Sequence, residues 1–356
     1  VQGVRNERAR GARPRALRPF EETQLAKTPA HYTDMADPQA QPRYTGIPTF
    51  FRVPYADTPD GVDIGIVGVP FDGGVTNRSG TRHGPRAVRD QSSLLRRINS
   101  ATGVAPFGMA RVRDLGDCWI ERPFELTGAQ AEIAGYFTQI VQAGVTPLSV
   151  GGDHSISLPI LRAVAGRHGK VGMVHVDAHC DTGGDYLGSS YHHGAPFSRA
   201  VDEGLLDPAR VIQIGIRGTT NDPEMWSFST RHGMRVLGID EFCDQGWRFA
   251  AEETRRIACG PVYLSFDIDA LDPSQAPGTG TPEAGGITMI EALRLLRALR
   301  GLDFVGADLV EVSPPFDVGT LTAFNGASVL FELLCLLAEA RSRRAKPDQV
   351  RVRNGG

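Results

Sequence analysis

The chain has 356 residues, 41% hydrophobic and 22% charged, a globular composition that excludes a disordered or fibrous protein. Its 38 basic and 41 acidic residues leave a net charge of −3, so no global positive field exists to hold a phosphate backbone, and no nucleic-acid partner is expected. Cys118, Cys180, Cys243, Cys259 and Cys335 are odd in number and never in C-x-x-C spacing, which speaks against a disulfide framework or zinc ribbon and for a reducing, cytoplasmic setting.

Residues 1–43 carry no sustained apolar period. Val1 to Phe20 holds Arg5, Arg8, Arg10, Arg13, Arg15 and Arg18 against the single acid Glu7. The segment reads as a disordered arm, with an Arg-rich targeting segment and a dispensable extension ahead of Met35 as the other readings. Residues 44–341 read as one domain and 342–356 as a flexible tail.

Within the domain, short apolar runs at 62–69, 146–150, 171–176, 211–214, 262–266 and 304–310 read as strands buried on both faces. Helical candidates lie between them at 85–98, 128–143, 158–167, 223–232, 249–258, 288–300 and 321–341. This alternation predicts a single three-layer α/β/α domain with a mainly parallel, doubly wound sheet. The most apolar stretch, Val329 to Leu337, is broken by Glu332 and falls short of the ~20 residues of a membrane span, so no membrane partner is expected.

In such sheets ligands bind outside the carboxyl ends of the strands. Three segments of unusual chemistry sit there: Gly151-Gly152-Asp153-His154-Ser155, His175-Val176-Asp177-Ala178-His179-Cys180-Asp181, and Ser265-Phe266-Asp267-Ile268-Asp269. Alternate residues of extended chain share a face, which groups Asp177 with His179 and Asp181, and Asp267 with Asp269. Four carboxylates and the imidazoles of His154 and His179 then converge. Carboxylates this close cannot all stay ionised unless a multivalent cation joins them. One Asp-x-Asp or Asp-x-His alone would be ordinary turn chemistry; three such motifs at three strand ends are a metal site. An oxygen-rich set with two imidazoles and no thiolate suits a hard or borderline ion such as Mn²⁺, with Ni²⁺ as the alternative. Six ligand residues suit two ions with bridging carboxylates, an arrangement that lowers the pKa of water. His175 reads as packed behind the cluster, and Cys180 points away from it.

These residues resemble the signatures of the ureohydrolase family, which includes arginase, agmatinase, guanidinobutyrase and proclavaminate amidinohydrolase. The resemblance spans about Tyr44 to Ala340 and rests on Gly-Gly-Asp-His-Ser at 151–155, Asp-Ala-His-x-Asp at 177–181, and Ser-Phe-Asp-Ile-Asp-Ala-Leu-Asp-Pro at 265–273. The segments 77–85 (Asn-Arg-Ser-Gly-Thr-Arg-His-Gly-Pro) and 311–315 (Glu-Val-Ser-Pro-Pro) place it on the agmatinase side. The resemblance implies an arginase-like fold and two Mn²⁺ ions. His154, Asp177, Asp181 and Asp267 would hold one, and His179, Asp177, Asp267 and Asp269 the other. It implies hydrolysis of a guanidino group to urea and an amine, with His193 of Tyr-His-His-Gly as proton shuttle and Glu291 as the guanidinium partner. It also implies a homo-oligomer, trimer or hexamer.

The substrate tail is expected against residues 183–192, with Asp185, Tyr191 and His192 as contacts, and against 217–221. Agmatine is the first expectation, because residues 201–207 and the Thr-Pro-Glu segment at 281–283 resemble agmatinases; Asp185 could take its cationic tail, although one exposed charge is worth little. A guanidino acid such as guanidinobutyrate, guanidinopropionate or a proclavaminate-type substrate is the alternative, which Arg217 would favour, and small guanidines come third. Two readings of other classes fit the sequence less well. A two-metal phosphoesterase lacks phosphate-binding cations near the motifs, and an inactive partner subunit of a mixed oligomer would have lost a ligand.

Overall fold

The computed structural model describes residues 41–220 and 226–345. The expected arm up to residue 40, the tail from 346, and residues 223–225 of the expected helix at 223–232 lie outside the described residues. Eight strands form one sheet: β1 (Ile64–Val69), β2 (Val112–Asp117), β3 (Thr146–Gly151), β4 (Val171–Val176), β5 (Leu206–Ile216), β6 (Arg235–Gly238), β7 (Pro261–Asp267) and β8 (Asp303–Val310). Every pairing is parallel, in the order β2-β1-β3-β8-β7-β4-β5-β6.

The helices are α1 (Gly84–Ser92), α2 (Pro106–Met109), α3 (Leu126–Gln142), α4 (Ser157–His168), α5 (Pro196–Asp202), α6 (Ser227–Arg231), α7 (Ile239–Ile257), α8 (Met289–Ala298) and α9 (Leu321–Arg344). One core joins the sheet to Val88 of α1, Phe242 of α7, Leu295 of α8 and the apolar face of α9. The other joins it to Ile133 and Phe137 of α3, Ile160 of α4 and Phe197 of α5. The expected three layers are therefore present, and β1, β3 and β4 are buried along their whole length because helices cover both faces.

The elements missing from the sequence reading have a common cause. β2 and β6 are the two edge strands, and β2 carries Arg113, Asp114 and Asp117 where a central strand carries an apolar run. Edges are kept polar because an apolar edge invites pairing with another chain. Asp114 is nonetheless buried, since its carboxylate accepts from the Phe50 amide at 2.8 Å and pairs with Arg89 at 3.0 Å. The short helices α2 and α5 were also missed; each begins at a proline, Pro106 and Pro196. The helix expected at 85–98 stops at Ser92, and the one expected at 249–258 is the second half of α7, which is interrupted at Gly246, φ 80°.

α9 runs to Arg344, past the expected domain end at 341. By length and composition it is apolar enough to cross a membrane, with mean hydropathy 1.8, but 83% of that window is buried inside the fold. It is the central helix of one core. Glu332, the charge that broke the apolar run, is itself buried there, held by Arg297 at 2.7 Å and by the Asn99 side-chain amide at 2.8 Å.

Candidate active site

Strand order brings four C-terminal ends together, because β3, β8, β7 and β4 are successive neighbours. β3 leads through Asp153 to a single 3-10 turn, His154–Ile156. β4 leads to Asp177, β7 ends at Asp267, and β8 delivers Glu311. The chain beyond these ends is not extended, so the pleat is not what aligns the carboxylates. Asp181 has φ 49° and Asp269 lies in the 3-10 turn Ile268–Ala270. Local turns do the aiming: the Asp267 carboxylate accepts from the Asp269 amide at 2.8 Å, and Asp177 from the His179 amide at 2.6 Å.

The six expected ligands converge in two adjoining groups. His154 Nδ1 lies 3.2 Å from Asp177 Oδ2, 2.9 Å from Asp181 Oδ2 and 3.2 Å from Asp267 Oδ2. His179 Nδ1 lies 3.5 Å from Asp177 Oδ1 and 3.2 Å from Asp269 Oδ2. Asp177 thus offers one oxygen to each group. His154 Nδ1 is fully buried, yet despite three carboxylates within ionic distance it makes no directed hydrogen bond. That orphaned atom is what a ligand nitrogen looks like, and the donor set around it fits a cation.

The outer contacts point the same way. His154 Nε2–H donates to Ser265 Oγ at 2.8 Å, and Ser265 donates to the buried Asp308 at 2.6 Å, which leaves the Nδ1 lone pair facing the carboxylates. Asp308 is held in turn by the hydroxyls of Ser157 at 2.6 Å and Tyr263 at 2.7 Å. His175 sits behind the cluster, its Nε2–H on Asp177 Oδ2 at 2.7 Å and its Nδ1 accepting from the Gln213 amide at 3.1 Å. Without a cation the charges are in conflict. Burial, with Asp177 and Asp269 nearby, pushes Asp267 far up, and burial with Asp177 raises Asp269. His175 and His154 overcome burial to hold Asp177 well down, and the carboxylates overcome burial to push His154 well up.

Beside the cluster opens a cleft of about 350 Å³, lined by His179, Asp181 and Asp267 and by Thr76, Cys180, Thr182, Gly183, Tyr186, His192, His193, Gly194 and Thr281. His193 is buried, with Nδ1 on Glu311 Oε1 at 2.9 Å and Nε2 facing Thr76. Burial lowers the imidazole's pKa, but Glu311 outweighs it and the value rises to about 9. Glu311 is the residue the sequence reading missed. Its Oε1 also accepts from the His154 amide at 2.8 Å, while Oε2 is buried with no donor, and its backbone is held at φ 64°. The available signal was its position, an acid directly ending the apolar run 304–310, as Asp177 ends 171–176.

The other expected contacts lie elsewhere. Glu291 forms a capping box at the N-terminus of α8, accepting from the Thr288 amide at 3.0 Å and from its hydroxyl, and does not line the cleft. Asp185 is exposed and takes the Ser190 hydroxyl, and Tyr191 lies against Arg162, 6.0 Å from the guanidinium carbon to the ring centroid. His192 does reach the cleft, but both ring nitrogens staple the loop, Nε2 to Gly184 O at 2.9 Å and Nδ1 to the Gly194 amide at 3.2 Å. Arg217 is structural. Its buried guanidinium donates to the carbonyls of Asp269 at 2.8 Å and Glu283 at 2.7 Å, among others, and so clamps the Asp269 turn.

A parallel sheet with a cluster of four aspartates and two histidines at its carboxyl edge, next to a carboxylate-held imidazole, has the makings of a metal-dependent hydrolase. The arginase family model matches residues 62–335, and the chain belongs to the arginase family, as an amidinohydrolase acting on C–N bonds. It is 53% identical over 306 residues to guanidinopropionase of Pseudomonas aeruginosa, covering 85% of this chain and 96% of that one. To the mitochondrial guanidino acid hydrolase of Homo sapiens it is 43% identical over 330 residues, covering 92% and 94%. The solved structure of proclavaminate amidinohydrolase from Streptomyces clavuligerus superposes with a TM-score of 0.81 at 41% identity, covering 84% of this chain and 100% of that one.

Proposed function

We propose that this amidinohydrolase cleaves a short guanidino acid to urea and the corresponding amino acid, rather than agmatine, with two Mn²⁺ ions at the Asp/His cluster. The observation behind the substrate choice is the cleft wall. Among the described residues it holds no carboxylate beyond the metal ligands, and Asp185, the expected partner of a cationic tail, is turned to Ser190 and solvent. An ammonium tail entering that wall would lose water without gaining an anion, whereas a carboxylate meets hydroxyls and imidazole. The similarity to guanidinopropionase and to guanidino acid hydrolase supports the same choice.

His154, Asp177, Asp181 and Asp267 would hold one ion, and His179, Asp177, Asp267 and Asp269 the other. When bound, such a pair supplies Lewis-acid activation of water at neutral pH. The protein's own groups do the rest. Glu311 Oε2, buried without a donor behind the cleft wall, would accept an N–H of a planar guanidinium that reaches past His193, and so orient it. His193, kept charged by Glu311 Oε1, gives its Nε2 proton to the leaving nitrogen as the C–N bond breaks.

Urea release tests this across guanidinopropionate, guanidinobutyrate, agmatine, arginine and guanidine, with Mn²⁺ and then Ni²⁺. A guanidino acid is expected to exceed agmatine in kcat/KM by at least about tenfold, the worth of one desolvated charge contact. Agmatine ahead of both acids would overturn the substrate reading and leave the hydrolase chemistry standing. Higher turnover with Ni²⁺ would overturn the choice of manganese.

A further inference from the structure

The loop between β1 and α1 borders the cleft, and its Gly74–Thr76 stretch is fastened directly to His193. The His193 amide donates to Gly74 O at 2.9 Å, and the Gly74 amide donates to the buried Asp153 carboxylate at 2.7 Å. Loop and imidazole therefore hold one another in place. Thr76 then faces His193 Nε2 with two groups, its hydroxyl at 2.8 Å and its backbone N–H at 3.2 Å. Nε2 is the nitrogen left for a substrate, because Nδ1 is committed to Glu311.

The two groups act differently on that nitrogen. A backbone N–H is a donor in every state of the ring, so it favours the Nε2 lone pair and opposes an Nε2 proton. A hydroxyl serves both states, accepting from Nε2–H when the ring is charged and donating to Nε2 when it is neutral. Glu311 pulls the other way and favours the charged ring.

We propose that Thr76 is a positioning residue for proton delivery by His193, holding the Nε2 proton toward the cleft before transfer and taking up the Nε2 lone pair after it. The proton passes from Nε2 to the leaving nitrogen while the C–N bond breaks and its electron pair goes to that nitrogen. The lone pair that the departing proton frees on Nε2 then accepts from the Thr76 hydroxyl and N–H. Thr76 thereby stabilises the neutral ring that the transfer produces, against the bias of Glu311. The inference rests on the reading of His193 as the acid.

The test is a double-mutant cycle on the manganese-loaded protein with guanidinobutyrate and guanidinopropionate. Thr76 is exposed and valine has its shape, so Thr76→Val removes the hydroxyl with the fold intact, and Thr76→Ala serves as a second deletion. Thr76→Val is expected to lower kcat about tenfold with KM within about twofold of wild type, a fraction of the 10²–10⁴ that general acid catalysis supplies. Thr76→Ser should restore kcat to within about threefold, since only the hydroxyl is asked for. Metal content per chain should not change. In a His193→Ala background, Thr76→Val should cost nothing further. An equal loss of kcat in both backgrounds would overturn the proposal, as would a raised KM at constant kcat, which would make Thr76 a substrate contact. His193→Ala alone turning over like wild type would overturn the reading of His193 itself, whatever Thr76 does.

Discussion

Asp177→Ala should leave the protein without either metal ion and lower turnover by at least about 10³-fold, some 4 kcal/mol of transition-state stabilisation. The reason is geometric. Asp177 Oδ2 faces the His154 group at 3.2 Å and Oδ1 faces the His179 group at 3.5 Å, so one deletion opens both. Asp269→Ala touches only the His179 group and should lose one ion of the two. Asp177→Ala also takes the acceptor from the buried His175 Nε2–H and the His179 amide and should lower the melting temperature of the metal-free protein, whereas Asp269→Ala removes a carboxylate that burial and Asp177 already disfavour. Thermal melting separates these effects. Manganese should raise the melting temperature of the wild type and not that of Asp177→Ala, since a ligand stabilises only a state that binds it. Metal counting by mass spectrometry gives the direct readout, and wild-type metal content in Asp177→Ala would sink the assignment.

Glu311→Gln should lower kcat/KM by about 10²–10³-fold, the cost of one preorganised electrostatic contact at a reacting charge. Two losses combine there: an anion for the guanidinium, and the partner that keeps His193 charged. The second has a pH signature. Glu311 is the largest influence raising His193 to about 9, with Asp153 and Asp181 adding to it against burial. In the wild type the acid form therefore persists until pH passes about 9, and activity falls above it. In Glu311→Gln burial gains weight, and the falling limb should move to lower pH. The same interaction stabilises the fold fully below the ordinary histidine value of 6.5, and its contribution is lost as pH rises through about 9. Glu291→Ala is the matched contrast. It breaks the capping box with Thr288 and should cost about 1 kcal/mol of stability with KM unchanged. A large KM effect at Glu291 and none at Glu311 would reverse the two roles.

The contrast between these two glutamates shows what could be read from the chain. Thr288-Met289-Ile290-Glu291 has the spacing of a capping box, yet the resemblance sent Glu291 to the guanidinium, and only the structure shows it capping α8. Glu311 closes an apolar run just as Asp177 and Asp267 do, but nothing local says that the end of β8 lies beside theirs. Asp185 and Tyr191 illustrate the converse. Both belong to a loop that borders the cleft, and only the fold shows the first taken by Ser190 and the second lying against Arg162.

The sequence by itself determined the chemistry on offer: apolar runs long enough for central strands, and Asp and His residues at their carboxyl ends. Those features are local, written in hydrophobic pattern and in turn-forming acids that hydrogen-bond their own backbone. Tertiary structure alone decided which strand ends meet. Six apolar runs of similar character carry no label for their neighbours, and pairing is settled by non-local packing of both faces. Placing β8 between β3 and β7 is what sets Glu311 beneath His193 and joins a carboxylate, an imidazole and a metal cluster into one site.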